Sequence, residues 1–72
     1  MPHYNVRLIR LCKQYAALIR RIERTCEVFQ AAQLDHERQA LHDGLQDIMY
    51  RGHIVSDRDS VHCLALEIAR NE

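Results

Sequence analysis

Between Ser56 and His62 the chain gathers two hydroxyls, two carboxylates and an imidazole: Ser56, Asp57, Asp59, Ser60 and His62. These are the ingredients of a hydrolytic site, in which a base takes the proton of a nucleophilic hydroxyl and a carboxylate orients the base. The same residue types serve another purpose where a helix begins, because their oxygens satisfy its unpaired N–H groups. Ser56 as the first residue of a helix, with Asp59 in a capping-box-like position, explains the segment without catalysis. Elsewhere there is no Gly-rich phosphate loop, nucleophile elbow or paired-carboxylate arrangement. The residues point away from an enzyme, and no catalytic residue is assigned.

The cysteines and histidines offer redox and metal chemistry, and spacing argues against both. Cys12 and Cys26 fall on one expected helix, which separates their backbones by about 21 Å, three times the reach of a disulfide. Cys63 can pair with only one of them, leaving an odd thiol. His36 and His42 stand about 120° apart around a helix, not on the i, i+4 spacing that two ligands want. His62 and the adjacent Cys63 diverge by about 100°. No metal or other cofactor is therefore expected. Three thiols, no secretory leader and no apolar run of spanning length point to a reducing cytoplasm.

The elements that would position such residues are all helical. Asn5 can cap a first helix that runs to about Gln33, some 40 Å long. On it Leu8, Leu11, Cys12, Tyr15, Leu18, Ile19, Ile22, Cys26 and Phe29 share an apolar arc of about 120°. Near Leu34 the apolar phase changes, and Leu34, Leu41, Leu45, Ile48 and Met49 begin a new stripe. Asp35 is placed to cap this second helix, with Glu37 in its first turn. A tight turn there makes the first two helices a hairpin; one continuous helix with a phase slip is the alternative. The second helix ends at Arg51, where Gly52 is the expected left-handed exit residue. His53, Ile54 and Val55 form a short extended link whose apolar pair pins the turn to the core. A third helix follows from Asp57 to about Arg70, burying Val61, Leu64, Ala65 and Ile68. Gly44, inside the second helix at the edge of its stripe, suggests that a neighbouring backbone comes close. Tyr15 and Tyr50 are expected at a rim, rings packed and hydroxyls wet.

Charge divides the chain. Residues 1–24 hold six Lys/Arg and one acid, and residues 25–72 hold four Arg and nine acids, so +5 faces −5 across a neutral whole. The two parts can neutralise each other within the fold or between two antiparallel copies. The polar side of the first helix (Arg7, Arg10, Lys13, Arg20, Arg21, Arg24) can also track a phosphate backbone. Against nucleic acid stand the zero net charge, the acidic later helices and the lack of aromatics among the cations. Glu23 and Glu27, at the apolar boundary, argue against a membrane surface.

A single domain of 72 residues has a marginal core, and without disulfide or metal it needs another molecule. Ala16 and Ile9 widen the first helix's apolar arc toward about 180°, more than one neighbour covers. The expected fold is therefore all-α: a long helix and two shorter ones, a hairpin with a third helix, assembled as a homodimeric bundle. Leu8, Tyr15, Ile19, Ile22, Phe29, Leu41, Leu45 and Ile48 are the expected core and dimer residues. Arg10, Lys13, Arg20 and Arg24 form the expected strip for a partner protein, with Tyr50 and His53 a second contact. The expected function is that of a small regulator or adaptor binding another protein; nucleic-acid binding through the same strip is the alternative.

Residues Leu41, Leu45, Ile48, Met49, Gly52, Val55, Val61, Leu64 and Ile68 resemble the helix–Gly–turn–helix core of the small bacterial biofilm regulators called YmgB or AriR. In that family the same apolar register flanks a glycine and a Val-Thr or Val-Asn step, matched here by Val55-Ser56. The resemblance covers fewer than 30 residues. This chain adds a long basic first helix and stops where the family continues into a further one. The resemblance implies a dimeric helical regulator acting through partner proteins in signalling or transcription.

Overall fold

The computed structural model describes residues 4–55 and 58–72, with side chains left out of the description for 58–60. The capping and hydrolytic readings of Ser56, Asp57, Asp59 and Ser60 therefore lie outside the described residues. Three helices make up the fold: α1 (Val6–Arg24), α2 (Val28–Arg51) and α3 (Arg58–Asn71). Among the described residues there is no strand, and no helix is long and apolar enough to cross a membrane. The all-α expectation holds.

The first boundary does not. The break lies at Thr25–Glu27, not at Leu34, so α1 has 19 residues and α2, with 24, is the longer helix. Two residues make this break. Thr25 turns extended and donates its hydroxyl to the Arg21 carbonyl at 2.6 Å, while its N–H reaches the Ile22 carbonyl. Glu27 then caps α2, its carboxylate accepting from the N–H groups of Phe29 at 3.0 Å and Gln30 at 2.8 Å. An anion at this end also suits the helix dipole. Asp35, expected as the cap, lies inside α2. Asn5 caps α1 as expected, accepting from the Arg7 N–H at 2.7 Å.

α1 packs against both other helices, as its wide apolar arc requires. Leu8, Cys12 and Tyr15 of α1, Leu45 and Met49 of α2, and Val61, Ala65 and Ile68 of α3 form the buried core. Ile19, Leu41, Ile48 and Leu64 are half-buried against it, and Ile22 is half-buried too. Phe29 and Cys26 depart from expectation. Both are exposed, because the break at Thr25 takes them off the α1 surface. Their fit to the α1 stripe was a coincidence of phase.

The α2 exit also differs. Gly52 has φ −83°, and the left-handed position passes to His53 at φ 56°. The His53 N–H bonds the Tyr50 carbonyl and the Ile54 N–H the Met49 carbonyl, at 3.1 and 2.9 Å. This double bond pattern closes the helix end and offsets the cost of a Cβ in that region. Val55 packs on the core, whereas Ile54 stays at its exposed margin.

Gly44 has no backbone against it: a Cβ built there meets nothing within 4 Å. Its cost is then purely helical, so Gly44→Ala should stabilise the chain by about 1 kcal/mol. Thermal unfolding should show a midpoint raised by about 4–8 °C. A lowered midpoint would mean that Gly44 meets something a single copy does not contain.

Candidate functional site

Two features stand out: a polar chain running from the surface to Tyr15 in the core, and an open end of the hairpin. The polar chain begins at Asp35, which receives the Arg38 Nε–H at 2.8 Å and the Gln39 side-chain N–H at 3.0 Å. Arg38 also donates from Nη1 to the Tyr15 hydroxyl at 3.2 Å, and that hydroxyl lies 2.6 Å from His62 Nδ1. Guanidinium has no acceptor, so in the Arg38 bond the Tyr15 oxygen accepts. The His62 ring meets Tyr15 edge-on at 5.5 Å and the His42 ring lies tilted at 6.1 Å, so histidines of α2 and α3 flank one tyrosine of α1.

Tyr15 was expected at a wet rim; it is fully buried. Its hydroxyl is partnered on both sides, by Arg38 and by His62. The hydrogen bond from Arg38 holds the Asp35 carboxyl below its ordinary range, and the carboxylate pushes Arg38 higher still. Both stay charged at neutral pH. The network therefore joins three helices through partnered side chains. Local spacing carried no sign of it, because His62 stands 47 residues from Tyr15.

Cys12, the buried thiol, is pushed up to about 11 by burial and remains protonated. Protonated thiols are poor nucleophiles. Cys26 and Cys63 are exposed.

The open end has a different character. Every fully buried residue of α1 lies at or before Tyr15, and every one of α2 at or after Leu45. Beyond them neither the C-terminal part of α1 nor the N-terminal part of α2 has a buried residue. There Val28 is 78% and Phe29 80% exposed. A groove of about 1150 Å³ opens between the two helices, with Arg21 and Arg24 on the α1 side. Gln30, Gln33 and Glu37 line the α2 side, and Phe29 and Leu34 supply the apolar surface.

Arg10, Lys13, Arg20 and Arg24 are all exposed along α1. Among the described residues the ion pairs are Arg38–Asp35, His42–Asp43 and Arg51–Asp47, none of which involves α1. Compensation of the basic helix within the fold is thus not seen among the described residues; Lys13 instead donates to the Glu72 backbone oxygen. Of the second expected contact, Tyr50 is half-buried against the core and His53 is exposed. No family model, curated protein or solved structure matches this chain.

Proposed function

We propose that this protein is a small non-enzymatic adaptor or regulator that works by binding another protein. The exposed cations of α1 supply the recognition strip: Arg10, Lys13, Arg20 and Arg24, with Tyr50 and His53 as a second contact. The supporting observation is that these exposed cations form no ion pair with a described acid side chain. A partner of complementary, acidic surface fits the strip, and charge of this kind sets specificity and encounter rate more than affinity. Free thiols suit a cytoplasmic location. The YmgB/AriR-like reading of a dimeric regulator draws on the order of α2, which ends at Arg51 before Gly52, and α3, which begins at Arg58.

The test replaces two outward cations that lie outside the groove. Arg10→Glu with Arg20→Glu should remove the proteins retained by the native chain in affinity purification, with helicity unchanged by circular dichroism. Retained capture would place recognition on another face. Nucleic acid, the alternative, is separated by titrating a fluorescent duplex at low and high salt. The adaptor reading expects no binding even at low salt. Binding that falls by about three orders of magnitude or more with modest added salt belongs to a phosphate-tracking strip.

A further inference from the structure

We infer that the open end of the α1–α2 hairpin is a self-association surface, taking the same end of a second copy around a two-fold axis. This goes beyond the binding role of the outward strip, with which the groove shares only Arg24, and the two are tested by different substitutions.

Area is the first argument. A compact monomer of 8.5 kDa exposes about 4,700 Å². This chain exposes 5472 Å² and extends 41 × 20 × 18 Å. The surplus, about 800 Å² over the whole chain, goes with this elongated shape. It is accompanied by a core confined to the other end of the molecule and by a large exposed aromatic, Phe29, at this one. Aromatic side chains seated in a facing pocket are the usual anchors of such interfaces.

Charge selects the occupant. The groove carries both signs, Arg21 and Arg24 from α1 and Glu37 from α2, and among the described residues none of the three is ion-paired. A uniformly acidic or basic partner meets like charge on one side. A second copy turned by a two-fold axis brings the basic side of each groove to the acidic side of the other, because an isologous surface must complement itself. Phe29 of each copy then enters the groove of its partner, and two hairpin ends make a short four-helix arrangement.

Sedimentation equilibrium across about 1–100 µM, spanning ordinary interface affinities, tests this. The wild-type chain should approach twice 8.5 kDa. Phe29→Glu should weaken association about 30-fold or more, and its exposure leaves the single-chain fold intact by circular dichroism. Arg21→Glu should weaken it too, and adding Glu37→Arg to that variant should restore most of the loss by reversing both sides together. Arg10→Glu with Arg20→Glu should leave the mass unchanged, whatever it does to partner capture. A wild-type chain that stays single throughout leaves the groove to a different protein and overturns the inference. So does a dimer indifferent to Phe29→Glu, or a double charge swap no better than Arg21→Glu alone.

Discussion

Tyr15→Ala should leave most of the chain unfolded at room temperature. Truncating a fully buried aromatic costs about 3–5 kcal/mol, through lost burial and the cavity that remains. A domain of this length rarely holds more than about 3–5 kcal/mol in all. Tyr15 is fully buried and its ring is flanked by His42 and His62. The substitution also strips Arg38 of an acceptor and His62 Nδ1 of its hydrogen-bond partner. Tyr15→Phe separates these contributions: it keeps the ring and removes only the hydroxyl, so it should cost about 1–2 kcal/mol. Urea unfolding followed by circular dichroism measures both. A Tyr15→Ala chain that loses less than the Phe variant should would show that the three helices do not depend on this tyrosine.

The two substitutions also bear on how the fold is written in the sequence. The α1 stripe through Leu8, Cys12, Tyr15 and Ile19 is legible because burial on one side of a helix imposes a 3.6-residue period. Val61, Ala65 and Ile68 of α3 are legible for the same reason. Gly52 marks the α2 end, although the left-handed angle itself passes to His53. The hairpin break was misplaced because Cys26 and Phe29 happen to keep α1's phase, and because Glu27 is not among the usual capping residues. Only its two bonds to Phe29 and Gln30 expose its role. The break also takes Phe29 from the single-chain core to an exposed end. Long-range partnering is a further gap. Arg38, Tyr15 and His62 come from three helices, and no local spacing announces their meeting.

The candidate surface was partly legible. The cations of α1 were readable as a strip from periodicity alone. The groove was not, since it depends on where α1 stops and on how far α2 runs before its buried residues begin. Arg21, outside the expected contact residues, belongs to it, and Phe29, expected among the core and dimer residues, supplies its exposed aromatic.

The account rests on a single copy having more apolar helical surface than its own segments cover, so folding should be linked to concentration. If two copies share the open hairpin end, raising the chain from about 1 µM to 1 mM adds about 4 kcal/mol of stability per dimer by mass action. Spread over the unfolding entropy of a dimer, that is a rise of about 10 °C in the thermal midpoint. Melting curves by circular dichroism across this range make the measurement. A midpoint that climbs by about this amount, and climbs less in Phe29→Glu, is the predicted result. A wild-type midpoint that stays constant across the range would contradict it.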